Sequence, residues 1–223
     1  MACPKFPSAN AGILAKISPN RPTAIFELFT KITERGMSIA GPVRPRVILL
    51  GATFVGKTSI GLAYRNERVT ADNARPSVGP ADSVLNVSVE GKNVTMSLWD
   101  TAGQEKYNSM TQTLVRGAAG AFCVFDISNR ASLEACISWV RTVTELDEKT
   151  TVFMVANKQD LMGSVDTIPE RDYQLEADRY NVPCYKTSAV TGEGIQNLIL
   201  DMAKEVSKKA PVKELEPGKK GCC

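Results

Sequence analysis

The 223-residue chain contains no histidine, so no mechanism built on imidazole chemistry is open to it. No apolar run approaches the roughly 20 residues that a bilayer-spanning helix needs. The first residues also lack the continuous apolar core of a secretion signal. The cysteines (Cys3, Cys123, Cys136, Cys184, Cys222 and Cys223) fall at spacings that fit no zinc site. Cys123 and Cys184 lie in apolar runs and read as small buried hydrophobes. This usage suits a reducing, cytosolic compartment rather than a disulfide framework. The net charge of +3 is too small for the dense basic face of a nucleic-acid binder, so no nucleic-acid partner is expected.

What is present falls into three parts. Residues 1–44 form an N-terminal extension; six prolines punctuate the stretch from Pro4 to Pro45. Between them, Ile25, Leu28, Phe29 and Ile32 recur on one face and predict a helix over 23–35, with Gly36 as its stop. It reads as a helix docked on the domain or, alternatively, one for a partner or membrane. The first 26 residues hold Lys5, Lys16 and Arg21 but no acid, a faint likeness to an organelle transit peptide. Residues 45–207 alternate strand-like and helix-like patterns. Residues 208–223 are a lysine-containing tether without a periodic apolar face.

Within 45–207, strands are expected at 47–50, 84–89, 94–99, 121–126, 152–156 and 183–185. Helices are expected at 57–66, 133–146, 168–180 (with proline in its first turn) and 195–206. Glu90-Gly91-Lys92-Asn93 reads as a hairpin turn. The alternation predicts an α/β fold: a six-stranded, mostly parallel sheet with one antiparallel edge strand and helices on both faces.

Gly51-Ala52-Thr53-Phe54-Val55-Gly56-Lys57-Thr58 matches G-x-x-x-x-G-K-[ST] between a strand and a helix, the context such a phosphate loop requires. Its amides and the following helix N-terminus form an anion cradle. Gly51, Phe54, Val55, Gly56, Lys57, Thr58 and Ser59 are the candidate phosphate-binding residues. Lys57 would reach the β- and γ-phosphates, and the Thr58 hydroxyl would bind Mg²⁺. Asp100-Thr101-Ala102-Gly103-Gln104 follows a strand. Asp100 can hold Mg²⁺, Gly103 can bring an amide close to a γ-phosphate, and Gln104 can position an attacking water.

Asn157-Lys158-Gln159-Asp160 ends another strand. The Asp160 carboxylate can accept two parallel hydrogen bonds from guanine, which adenine cannot offer, while Asn157 ties neighbouring loops and the Lys158 stem covers the ring. Thr187-Ser188-Ala189 follows the last short strand; Ser188, Ala189 and Val190 are candidate guanine contacts through their backbone.

The stretch from Trp99-Asp100-Thr101-Ala102-Gly103-Gln104-Glu105 to Lys106-Tyr107, then Arg116-Gly117-Ala118 and the terminal Cys222-Cys223, resembles the Rab family of the Ras superfamily of small GTPases. The likeness covers residues 46–206 and the tail. It implies a P-loop G domain that binds GTP and GDP with Mg²⁺, hydrolyses GTP with Gln104 as the catalytic residue, and acts as a monomeric switch in vesicle trafficking. It also implies an exchange factor, an activating protein, escort or dissociation-inhibitor proteins, and effectors. Two prenyl groups on Cys222 and Cys223 would anchor the chain to the cytosolic face of an endosomal or other vesicular membrane. Two lipids hold where one is marginal, and Lys208, Lys209, Lys213, Lys219 and Lys220 would add attraction to an anionic leaflet.

The chain departs from the family at three places. Thr53 and Phe54 stand where small residues are usual, and a branched side chain at 53 would crowd the attacking water and slow hydrolysis. Ser77-Val78-Gly79, bracketed by Pro76 and Pro80, replaces the usual threonine-bearing metal motif, so Ser77 is the third candidate Mg²⁺ ligand. In the same segment, Val69 stands where an aromatic usually packs on guanine. Pro80-Ala81-Asp82-Ser83 lacks the phenylalanine used for partner recognition. A guanine-nucleotide-binding scaffold without turnover is the competing reading. A P-loop kinase is a third, opposed by Gln104 and by Asn157 to Asp160.

Overall fold

The computed structural model describes residues 44–67, 81–100, 113–163 and 165–209, with only the backbone described at Ala81. The expected helix at 23–35 and Val69, Ser77, Gly103, Gln104, Cys222 and Cys223 lie outside the described residues.

The six strands are β1 (Arg46–Leu50), β2 (Ala81–Val89), β3 (Lys92–Asp100), β4 (Gly120–Asp126), β5 (Thr151–Asn157) and β6 (Cys184–Lys186). They form one sheet in the order β2-β3-β1-β4-β5-β6. Every neighbouring pair is parallel except β2 with β3. The expected sheet is therefore the observed one, with β2 as its antiparallel edge strand.

The interior strands are apolar without a break because both faces are covered. In β1, Val47 and Leu49 enter one core while Ile48 and Leu50 enter the other. The first core is closed by helices α1 (Lys57–Tyr64) and α4 (Ile195–Lys209). The second is closed by α2 (Arg130–Leu146) and α3 (Glu170–Arg179). On α4, the expected face of Ile195, Leu198, Ile199, Met202 and Val206 is fully buried. Each such side chain contributes about 1.5–3 kcal/mol of burial. The edge strand β2 alternates instead: Leu85, Val87 and Val89 are buried, with Val84, Asn86 and Ser88 outside.

Several boundaries differ from expectation for local reasons. Glu90 (φ 49°) and Gly91 (φ 78°) alone make the hairpin turn, and Lys92 pairs with Val89. Two successive positive φ angles match the right-handed twist of the flanking strands. β2 begins at Ala81, so Ala81 to Ser83 belong to the sheet. Helix α1 ends at Tyr64, because Asn66 takes a left-handed conformation (φ 58°), which asparagine tolerates. Helix α2 starts earlier than expected, at Arg130, because the Asn129 side chain accepts from the Ser132 amide and caps it. Pro169 precedes α3 in an extended conformation rather than sitting in its first turn.

Strand β6 starts after Pro183, whose carbonyl accepts from the Met154 amide. Helix α4 continues to Lys209, past the point where the tether was expected to start. Lys209 Nζ donates to the Lys149 carbonyl and Thr151 Oγ1, both at 2.5 Å. Among the described residues, no helix is long and apolar enough to cross a membrane.

Candidate functional site

The chemistry-bearing residues collect where the parallel strands end. Gly51 follows β1, Asp100 closes β3, Asp126 closes β4, Asn157 closes β5 and Thr187 follows β6. Carboxyl ends of parallel strands are where open α/β sheets bind ligands.

The phosphate loop leaves β1 at Gly51 (φ 140°), where a Cβ would run into the Val124 carbonyl on the neighbouring strand. It enters α1 through Gly56 (φ 97°), where a Cβ would strike the Asn157 side-chain amide. Both glycines are required by close approach as well as by conformation. Between them Phe54 adopts φ 67° and stands 72% exposed. Val55 is buried. Lys57 is only 6% exposed, and its ammonium donates to the carbonyls of Gly51 (2.5 Å) and Ala52 (2.8 Å). A buried charge needs such partners, and these hold it inside the curl of the loop. Ser59 sits half-buried in the first turn of α1.

Thr58 Oγ1 donates to Asp100 Oδ2 at 2.5 Å, joining two residues far apart in sequence. A hydroxyl and a carboxylate are hard oxygen donors of the kind Mg²⁺ takes, so this part of the expected metal set fits the ion.

The residues expected to recognise the base form one hydrogen-bonded cluster. Asn157, 1% exposed, donates through Nδ2 to the Val55 carbonyl (2.8 Å) and accepts at Oδ1 from Thr187 Oγ1 (3.1 Å). Its backbone carbonyl accepts from the Ile127 amide at 3.2 Å. Ser188, fully buried, donates through Oγ to Asp160 Oδ1 at 2.5 Å and accepts from the Thr191 amide. The Gln159 amide donates to the Thr187 carbonyl, fastening the two loops. Ala189 is buried behind this cluster, whereas Val190 is 72% exposed on the turn beyond it.

Two participants were not apparent from sequence. Asp126 Oδ2 pairs with Lys158 Nζ at 2.7 Å, and Asp126 Oδ1 accepts from the amide and hydroxyl of Ser128. Burial alone would raise the Asp126 pKa. The hydrogen bonds from Lys158 and Ser128, with the Lys158 charge, outweigh it and hold the carboxyl below its ordinary value. Lys158 reaches it from a left-handed backbone (φ 68°). A carboxylate ending a wholly buried strand was the available signal. The Thr187 hydroxyl is the second; the sequence points only to the backbone of that loop.

The chemistry this supports is recognition of a nucleoside phosphate. In that reading Lys57 and the loop amides would serve the phosphates, Thr58 and Asp100 the metal, and Asp160 with Ser188 the base.

Comparison with known proteins agrees in extent and kind. The model of the Ras family matches residues 46–208. The chain is 32% identical to the Ras-related protein Rab-21 of Geodia cydonium over 170 residues, covering 76% of this chain and 73% of that one. It is 31% identical to human Ras-related protein Rab-37 over 172 residues, 77% of each chain. It is 27% identical to the Ras-related protein RABE1e of Arabidopsis thaliana over 165 residues, 74% of this chain and 75% of the relative.

Proposed function

The chain belongs to the Ras family and is a Rab-type small GTPase, and from that premise we propose that it binds GTP and GDP with Mg²⁺, hydrolyses GTP slowly, and serves as a membrane-anchored switch in vesicle trafficking. The observation that carries the nucleotide reading is the Asn157 hub. One buried side chain ties the phosphate loop at Val55 to the base-side loop at Thr187, so both ends of a nucleotide would meet a single preset frame. Asp160, held by Ser188, presents the carboxylate that selects guanine.

Thr58, Asp100 and Ser77 would hold Mg²⁺, which would supply Lewis-acid stabilisation of negative charge on the phosphates. Lys57 binds the phosphates, and Gln104 orients the attacking water. Slow turnover follows from Thr53 and Phe54, which crowd the loop beside the reacting phosphate. The anchor reading rests on Cys222 and Cys223 and on the Rab likeness, and it places the chain on the cytosolic face of an internal membrane. Regulators and effectors of the Rab type are the corresponding partners.

The test is equilibrium binding of GDP, GTP and ATP with and without Mg²⁺, followed by single-turnover hydrolysis of bound GTP. Tight, Mg²⁺-strengthened binding of guanine nucleotides and slow phosphate release are expected. Equal affinity for ATP would sink the base assignment. GTP that stays bound and intact, with or without an activating protein, would favour a non-hydrolysing scaffold.

A further inference from the structure

Asp126 and Lys158 meet at 2.7 Å, and the two are held very differently. Asp126 is the fixed partner. It closes β4 opposite Asn157, its neighbour in the ladder with β5. Its amide donates to Ser132 Oγ at 3.0 Å, and its carbonyl accepts from the Asn129 amide at 2.9 Å. Oδ1 is taken by the Ser128 amide and hydroxyl, which leaves Oδ2 for Lys158. The carboxylate is therefore aimed by its own turn. Lys158 is the adjustable partner. Its long stem has many rotamers to lose, and it reaches Oδ2 from a left-handed backbone (φ 68°) at the head of the short turn Gln159–Leu161.

Joining the two loops does not require this pair. The Ile127 amide already donates to the Asn157 carbonyl at 3.2 Å, and the Ile168 amide to the Ile127 carbonyl at 2.8 Å. A left-handed backbone is also unfavourable for lysine, where glycine or asparagine would be easier. The arrangement thus costs more than a seam between loops needs. What it secures is the position of one aliphatic stem, the part of Lys158 read as covering the purine ring. Asp160, read as selecting guanine, is held separately by Ser188. We infer that Asp126 is a positioning residue for the guanine nucleotide: by pinning the Lys158 ammonium it keeps that stem in place as one wall of the base site and slows nucleotide release.

A stem fixed at its backbone and at its ammonium does not have to be ordered when the nucleotide binds, so affinity gains what ordering would have cost. Freeing the ammonium returns that cost, and such losses fall mainly on dissociation. Cover of the ring face is the same for guanine and for hypoxanthine. The Asp160 carboxylate instead reads the 2-amino group, which hypoxanthine lacks. Positioning by Asp126 and selection by Asp160 are therefore separable.

The inference rests on the guanine-binding reading above, and its test separates the two. Release of GDP and of IDP, its hypoxanthine analogue, is timed in the full chain with Mg²⁺ for wild type, Asp126→Asn, Lys158→Met and the double variant. Asp126→Asn, which keeps an acceptor for Ser128, is expected to release GDP about fivefold faster, and IDP by the same factor. The double variant should release no faster than Lys158→Met, because Asp126 acts through Lys158.

Wild-type release from Asp126→Asn overturns the assignment, and so does a double variant whose acceleration is the product of the two single ones. A changed ratio of GDP to IDP release in Asp126→Asn would place its effect on Asp160 and overturn it too. Ser128→Ala, which loosens the carboxylate from behind, serves if Asp126→Asn folds too poorly to load. It should release GDP faster than wild type and add nothing to Lys158→Met, and wild-type release from it overturns the assignment. A wild-type chain that holds GDP no better than ADP ends the guanine reading itself, a result seen before any variant is compared.

Discussion

Asn157 Nδ2 donates to the Val55 carbonyl at 2.8 Å, although the two residues lie 102 positions apart in the chain. The same amide receives the Thr187 hydroxyl, so three loops meet on one side chain with almost no exposure to water. Asn157→Ala strands the Val55 carbonyl and the Thr187 hydroxyl in the interior. The expected loss is about 2–4 kcal/mol of folding stability, together with most of the GDP affinity. Urea unfolding in the presence and absence of GDP measures both, and a variant as stable as wild type would remove the hub from the account.

Asp126 supplies a prediction about pH. Its native pKa is lowered, so its contribution to stability is present above the ordinary carboxylate range and is lost as pH falls through the lower native value. Asn at this position keeps an acceptor for Ser128 but loses the ion pair with Lys158. The stability gap between wild type and Asp126→Asn should be flat from about pH 5 to 8 and should close below about pH 4. Denaturation midpoints across that range decide it, and a gap that widens in acid would contradict the assignment.

The thiols of the domain should be inert: Cys123 and Cys136 are buried, while Cys184, expected to be buried, is half-buried on the short edge strand β6. Burial pushes the Cys184 thiol up to about 12 and drives Cys123 and Cys136 upward as well. The thiolate is the nucleophile, so brief alkylation of the native protein near pH 8 should leave these three cysteines unlabelled. Denaturant should expose all of them. Peptide mass mapping that finds native Cys184 labelled at the rate of a free thiol would refute this.

Gly120 tests the packing of α4. A Cβ there would press on the Met202 sulfur, which is fully buried. Gly120→Ala is expected to cost about 1–3 kcal/mol through overpacking. GDP affinity should be unchanged, because the nucleotide residues lie at the other end of the strands. A melting temperature equal to wild type would mean that Met202 moves aside freely.

Thr53 tests the proposed slow turnover. It is exposed on the phosphate loop, and Gly there removes the branched side chain. Single-turnover phosphate release from Thr53→Gly should be several-fold faster than wild type. A rate no faster than wild type would clear Thr53 of any part in it.

The parts of this molecule that were legible in the sequence are those where one residue type has one workable use. Gly51, Gly56 and Lys57 have such uses, and so does an apolar run like β4, which must be buried on both sides. The periodic face of α4 is of the same kind. What escaped was decided by tertiary neighbours. Asp126 gains its role from Lys158, which reaches it only because the backbone at 158 is left-handed. Asn129 caps α2 because Ser132 comes within reach, and Pro169 drops out of α3 because its extended conformation is set by the approach from Ile168, buried against the second core. Lys208 and Lys209 read as tether by composition, yet bonds to Glu205, Lys149 and Thr151 keep them in the helix.

The Lys209 contact has a mechanical side. Helix α4 starts beside the base-side loop and ends against Lys149 and Thr151, at the edge where β5 begins. Any tension carried along the chain beyond residue 209 therefore enters the domain at the end of the sheet remote from Asn157. It would have to shear the whole buried face of α4 across the strands before it strained a nucleotide loop. A tug on the tail is thus taken up by the helix seam, and the nucleotide loops bear little of the load.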